Sequence, residues 1–306
     1  MSITETYDVI AIGGAVIGSS VAYYLAADPD FSGKILVVEK DPSYQRCASA
    51  LSAAGIRQQY SSAINIQISL YGIEFLRRIG EALEVDGDRP DIQLHEGGYL
   101  FLATEENRAI LKENHALQTT LGADILFLEP SDLAERFPWL SVEGLSAGCW
   151  GRRGEGWFDG YGLMQAFRNK ALALGVTYRA AAATGVQRTG DRVTAILLDD
   201  GTRISCGAVV NAAGAGGPMI ARAAGLEIPV HNKKRMIFTF NCHDEVRGCP
   251  LLIDPTGVYV RPEGQGFLCG VALPADADPD SDDFEVDYAF FSRTHLARAC
   301  RACAGL

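Results

Sequence analysis

Basic charge is what this 306-residue chain has too little of: 27 lysines and arginines stand against 38 acids, a formal net charge of −11. Binding to nucleic acid or to an anionic membrane surface needs a basic face. A small-molecule partner is expected instead. Only "MSITET" precedes the first apolar run; it contains no basic segment, so no signal peptide is expected. The eight cysteines follow no framework spacing, and a chain this long needs no disulfide staples, which fits a reducing cytoplasm. Cys300 and Cys303 have metal-like spacing but no second pair, and Cys242-His243 with Cys249 reads as a polar loop, so no metal is expected. Neither a Ser/His/Asp triad nor a pair of catalytic acids is evident.

What is present is apolar: 48% of residues are hydrophobic, enough for one large domain or two interleaved ones. Val9–Ala27 carries no charge and is long enough to raise a membrane span. Gly13, Gly14 and Gly18 divide it into a β-branched half and a helical half, so a buried strand, a turn and a buried helix are expected.

In the G-x-G-x-x-G scheme the key positions fall on Gly13, Ala15 and Gly18. The first glycine permits the turn, the middle one lets a pyrophosphate approach the backbone, and the last lets the helix pack on the strand. Ala15 adds one methyl group, which narrows that approach without abolishing it. A second strand, "KILVVEKD", ends in Glu39, about 20 residues past the last glycine, where an acid meets a ribose hydroxyl. A glutamate there implies FAD or NAD over NADP. After Glu39 the chain departs from a simple NAD domain, running through small residues to a helix with Ile64, Ile68, Leu70, Ile73 and Leu76 at roughly helical spacing.

Five later segments, "SALSAAGIRQQYS", "HEGGYLFLA", "GEGWFDGYGL", "VVNAAGAGG" and "DPTGVYVRPEGQGFLCG", resemble in order those of the FAD-dependent oxidoreductase family of D-amino-acid oxidases, glycine oxidase and sarcosine oxidases. The match runs from residue 7 to about 292 and is similar above all to the branch of FAD-dependent oxidoreductase domain-containing proteins. The resemblance implies an α/β fold: a glutathione-reductase-like Rossmann FAD-binding domain (1–90 and 151–228) interleaved with an antiparallel-sheet substrate domain (91–150 and 229–290). It implies FAD as cofactor, held by Gly13, Gly14, Ala15, Val16, Ile17, Gly18, Glu39 and Lys40. By the same resemblance Ser49, Ala50, Gly55, Ile56 and Arg57 line the flavin, the Val186 backbone meets adenine, and Ala212, Ala213 and Gly214 lie near the pyrophosphate. Cys47 is the position to inspect for a covalent flavin link.

The implied reaction is hydride transfer from an amine or amino acid to FAD, with oxygen or a redox carrier as electron acceptor; no nucleic acid and no membrane span enter it. The resemblance also leaves open an FAD-binding assembly or scaffold protein without turnover. On the substrate side, "VYVRP" places Tyr259 and Arg261 on one strand face and Val258 and Val260 on the other. An arginine fork suits a carboxylate, so Arg261 is expected to hold an amino acid's carboxylate and Tyr259 to shape the pocket, against the alternative of a solvated strand; with Arg57, offered by the flavin segment, they are the candidate catalytic residues. His231, Lys233, Lys234 and Arg235 read as a solvated basic loop from which one lysine could face flavin or oxygen, and His95 as a strand-end histidine. Residues 291–306 do not continue the resemblance. Back-translation of His295–Leu306 one base later gives a string similar to the family's usual continuation, so a frameshift near Ser292, weak FAD retention and little turnover are expected.

Overall fold

The uncharged run Val9–Ala27 is a strand, a turn and a helix, and no helix among the described residues is long and apolar enough to cross a membrane. The computed structural model describes residues 6–242 and 246–293; the Cys300/Cys303 pair, His243 and the segment from His295, for which a frameshift was expected, lie outside them. The chain begins β1 (Thr6–Ile12), α1 (Val16–Ala27), β2 (Ile35–Glu39), α2 (Ala48–Leu51), β3 (Gly55–Ile56), α3 (Ala63–Arg77), α4 (Ile79–Ala82) and β4 (Tyr99–Ala103). It continues through α5 (Glu105–Thr120), β5 (Ile125–Leu128), α6 (Pro130–Arg136), β6 (Ala147–Gly151), β7 (Gly156–Trp157) and α7 (Gly160–Ala173). Four strands follow, β8 (Thr177–Ala180), β9 (Ala183–Thr189), β10 (Arg192–Leu198) and β11 (Arg203–Asn211), and then α8 (Gly217–Ala223). The last elements are β12 (Ile237–Phe240), β13 (Leu251–Ile253), β14 (Tyr259–Glu263), β15 (Gly266–Gly270) and α9 (Tyr288–Arg293).

Two units share this chain. The first holds the residues up to Ala54, Arg78–Ile92 and Asp159–Asn232. Its sheet runs β8-β2-β1-β11-β10-β9, parallel from β8 to β11 and antiparallel from there on. Both faces are covered, which is why Val9–Ile12 of β1 and Ile35–Val38 of β2 read as apolar runs. Ile10, Ile12, Leu36 and Val38 enter one core with Ile196, Ile204 and Ile220, while Ala11, Ile35 and Val37 enter another with Ala22 of α1 and Ala171 of α7. On that second face α1 and α7 lie together, with the Tyr23 and Phe167 rings 5.6 Å apart.

The second unit holds Gly55–Arg77, Gln93–Phe158 and the chain from Lys233 on. Its sheet runs β12-β15-β14-β13-β4-β6-β5, with β13 and β4 parallel and the other pairs antiparallel. Leu100, Leu102, Leu133, Phe137 and Leu252 form one core; Val258, Val260, Cys269 and Phe290 form another.

The division differs from the sequence expectation at Gly55–Arg77, assigned there to the first unit, and at 151–158. Strand pairing explains both differences. Gly55 pairs with Trp157 and Ile56 with Gly156, which ties the two segments to each other and to the second unit. In α3 the buried residues are Ile66, Ser69, Ile73 and Leu76, whereas Ile64 and Ile68 are 61% and 60% exposed. The expected apolar stripe is thus only half right, because α3 carries isoleucines on more than one side.

Candidate functional site

In the first unit the glycine turn is fixed by backbone crowding. Gly13 has a φ of 101°, and a Cβ on it would strike the Ala212 carbonyl. A Cβ on Gly18 would land on the Gly13 carbonyl oxygen. These two positions must be glycine. Ala15, by contrast, is the residue before α1 with φ −70°, an angle any L-residue adopts, and its methyl group needs no left-handed backbone.

Hydrogen bonds then order the turn. Gly13 N donates to Val38 O at 2.8 Å and Ala212 N to Ile12 O at 2.9 Å, the Ser19 hydroxyl donates to Gly14 O at 2.7 Å, and Tyr178 donates to that hydroxyl at 3.0 Å. Glu39, at the end of β2, accepts from Gly14 N at 2.7 Å and from Asp41 N at 2.8 Å. Val16 N donates to the Ser49 hydroxyl of α2 at 3.2 Å. Helix α1 has no side-chain cap and no acid in its first turn, and Ile17 is 62% exposed. A helix N-terminus with no acid in its first turn, its first amide met only by the Ser49 hydroxyl, suits a diphosphate.

The structure thus brings Gly13–Gly18, Glu39, Ser49 and Ala212 together, with Gly214 (φ 54°) opening the turn that follows. Lys40 is exposed and Ala50 half-buried. Val186 lies on β9, at the sheet edge three strands from β1, and packs against the core that also holds Ile12 and Val38. Cys47 caps α2, its Sγ 3.8 Å from Met164 Sδ.

One residue beneath the turn escaped the sequence reading. Tyr44 is buried at φ 57°, and its hydroxyl lies 3.0 Å from where a Cβ of Gly14 would be. Left-handed backbone on a tyrosine leaves no sequence signal.

The second unit carries a different arrangement. Glu155, between two glycines just before β7, has 0% exposure. Its Oε1 accepts from Gln58 N at 2.5 Å and Gln59 N at 3.0 Å, and its Oε2 accepts from Gln59 Nε2 at 2.8 Å. Burial pushes this carboxyl up to about 7, against the pull of those three donors and of Arg57. The neighbouring Glu96 is held below the usual carboxylate range, first by Arg77, whose fork spans it at 2.8 and 2.6 Å. Glu96 also accepts from Gly154 N at 2.8 Å, which anchors the loop that delivers Glu155. The signal for Glu155 was the acid between two glycines in "GEGW"; what buries it comes from distant chain.

Arg57, just past Gly55 and Ile56, is half-buried, its guanidinium 4.5 Å from the Tyr60 ring centre and 5.6 Å from that of Phe101. Its Nε is buried without a hydrogen-bond partner. Above Gly55 lies the Tyr99 hydroxyl, on which a Cβ there would land.

Arg261 is 5% exposed and lies 5.3 Å over the Trp157 ring, so it is no solvated strand residue. Its Nη1 donates to Pro262 O at 2.8 Å and to Glu263. Tyr259 is half-buried and burial raises its phenol, while Val258 and Val260 point into the core, as strand alternation requires.

The basic run is not free in solvent. Lys233 pairs with Asp280 at 2.9 Å, Lys234 with Asp283, and Arg235 with Asp278 at 2.7 Å. His95 is exposed, its ring 4.6 Å from that of Trp157, and its backbone bridges Trp157. No group of three or more metal-ligating side chains occurs among the described residues.

A glycine turn on a parallel sheet, facing an acid at the end of the second strand, defines a dinucleotide-dependent oxidoreductase fold. The chain belongs to the FAD dependent oxidoreductase family, which it matches over residues 8–305, a span that takes in the tail past residue 292 where the resemblance was expected to end, and FAD is its cofactor. It is 38% identical over 322 residues to the FAD-dependent oxidoreductase domain-containing protein 1 of Xenopus laevis, covering 94% of this chain and 64% of that protein. The chain therefore spans just under two thirds of that relative's length. Mitochondrial dimethylglycine dehydrogenase of Rattus norvegicus is 28% identical over 272 residues, covering 86% of this chain and 30% of the relative. Among solved structures, L-proline dehydrogenase from P. horikoshii shares the fold with a TM-score of 0.84 at 21% identity, covering 99% of this chain and 78% of that one.

Proposed function

We propose that this chain oxidises the C–N bond of an amine that carries a carboxylate, an amino acid or N-methylated amino acid. The observation that carries this reading is Arg57: an arginine braced on Tyr60 and Phe101, with its Nε buried and unpartnered, presents a planar fork suited to a carboxylate. Two relatives support it by name, since dimethylglycine and L-proline are both amino acids with a carboxylate. FAD, when bound, supplies the hydride acceptor.

The chain's own residues bind and orient. Gly13–Gly18 with the α1 N-terminus, Ser49 and Ala212–Gly214 receive the diphosphate, and Glu39, beside Lys40, receives the ribose hydroxyls. Arg57 holds the substrate carboxylate. Arg261 and Tyr259 shape the pocket wall with Trp157, because Glu263 already occupies part of the Arg261 fork.

Reduction of the flavin absorbance without oxygen tests the reading, with glycine, sarcosine, dimethylglycine, proline and D-amino acids as substrates. Bleaching by none of them supports the assembly or scaffold reading instead. Arg57→Met should raise KM for the active amino acid about 100-fold, the loss of a charge-assisted pair, and leave oxidation of a decarboxylated analogue within about threefold. An equal loss for both substrates would remove Arg57 from carboxylate binding. For the nucleotide side, Glu39→Ala should weaken FAD about 10- to 100-fold in a fluorescence titration, as hydrogen bonds to a charged acceptor are worth about 1.5–3 kcal/mol. Unchanged FAD affinity would place the ribose elsewhere.

A further inference from the structure

Glu155 serves no step described so far, yet it is the most deeply buried acid among the described residues. A buried carboxyl stays charged only while donors and positive field compensate the lost water. Here the donors are three amides, and the field comes from Arg57, one residue ahead of the first of them. An anion seated on Arg57 cancels that field.

The neutral form also has a place prepared. Gln59 Nε2 donates to Glu155 Oε2 and, at 3.2 Å, to Tyr99 O, while the other end of the same amide, Gln59 Oε1, is buried with no partner. Inverting that amide turns the orphan oxygen toward Glu155, where it accepts from a protonated carboxyl. The inversion gives up the bond from Gln59 Nε2 to Tyr99 O, so the neutral carboxyl gains its acceptor at the cost of that donor.

We infer that Glu155 is a proton-binding residue coupled to the Arg57 fork: a carboxylate seated on Arg57 makes Glu155 take up one proton, and the Gln59 amide inverts to receive it. This rests on the reading of Arg57 as the carboxylate holder. One O–H bond forms, at Glu155 Oε2. Its proton comes from the buffer when a simple anion binds. For an amino acid it is matched by the proton that the substrate ammonium must lose before its C–N bond can be oxidised, so binding and amine deprotonation balance. By linkage the same coupling makes anion binding depend on the state of Glu155.

The other titratable groups facing Glu155 are Arg57 on the turn after β3, Tyr99 on β4 and Cys149 on β6; Tyr60 and Arg261 face it only through Tyr99. Burial pushes the Tyr99 phenol above its usual range and the Cys149 thiol up to about 12, so both already hold their protons at neutral pH. Arginine stays charged. Glu155 alone of this group can accept a proton.

The test is calorimetric titration of sodium acetate into the full 306-residue chain with its FAD, at about pH 7.5, in buffers of different ionisation enthalpy; acetate is fully ionised there. The wild type should take up roughly 0.5–0.75 proton per acetate bound, since Glu155 already holds part of one at that pH, and Glu155→Gln should bind acetate with less than about 0.1. Binding without uptake by the wild type, or uptake retained in the variant, overturns the inference. Should the variant not fold, the wild-type uptake must fade below about pH 6, where Glu155 already holds its proton; persistence there overturns it. Arg57→Met separates the two readings. Unchanged acetate binding in that variant removes the fork and the coupling together, as does a wild type that binds no acetate. Binding that is lost in the variant but uptake-free in the wild type leaves the fork standing and removes only the coupling.

Discussion

Gly18→Ala should abolish FAD binding and cost the protein more than about 4 kcal/mol of stability, a loss in the range reserved for severe steric damage. The added methyl group meets backbone: its site coincides with the Gly13 carbonyl oxygen, with Gly13 C at 3.0 Å and the Ala212 side chain at 3.4 Å. Gly13 cannot yield, because its left-handed φ of 101° and the Ala212 carbonyl hold it from the other side. Helix α1 must therefore back off the strand, and the diphosphate loses its amides. Gly14→Ala is the matched control, since its Cβ would come only to 3.0–3.2 Å from side-chain atoms of Tyr44, Glu39 and Val37, a crowding that costs about 1–2 kcal/mol. Ala15→Gly should change FAD affinity less than about threefold, because Ala15 is unstrained. Thermal melts and flavin fluorescence check all three; FAD affinity in Gly18→Ala within threefold of wild type would refute the steric account.

Stability should fall as pH rises from about 4.5 to about 7, with Glu155 contributing roughly 3 kcal/mol of the loss. The carboxyl keeps its proton in the folded chain up to about 7, against 4.5 for the ordinary group. Between those values the native state binds more protons than the unfolded one, so unfolding becomes easier with each step upward. The stabilisation is complete below about 4.5 and gone above about 7. Glu96, lowered by Arg77, acts with the opposite sign, but in a window below 4.5. Urea unfolding at pH 4.5 and pH 8 checks this: the wild type should lose about 3 kcal/mol more between the two than Glu155→Gln. Parallel losses in the two proteins would show that Glu155 titrates normally.

How far the chain could be read depended on the range of the interactions. The turn at Gly13–Gly18 and its acid Glu39 were legible because a tight turn and a strand end impose residue types locally. Strands β9 to β11 are likewise marked locally, by the turns "TGDR" and "DDG" that separate them. Faces were harder: α3 buries Ile66 and exposes Ile64 and Ile68, because its apolar residues ring the helix and only the tertiary neighbours choose among them. Partners far apart in sequence were invisible. Lys234 finds Asp283 49 residues on, and Glu155 finds Gln58 across 97. The pairing of Arg261 with Glu263 was within reach, since residues two apart on a strand share a face.

The pairing of Thr6 with Ser205 has a bearing on biosynthesis. Strand β1 can meet β2 soon after it leaves the ribosome, but its other edge waits for β11, nearly 200 residues later, a delay of about 10–40 s at ordinary rates of translation. Throughout that interval Ile10 and Ile12 have Leu36 and Val38 beside them but lack Ile196, Ile204 and Ile220 of the finished core. A nascent chain of this design carries a sticky, half-built edge until β11 emerges, and its yield in a cell should track the supply of holdase chaperones.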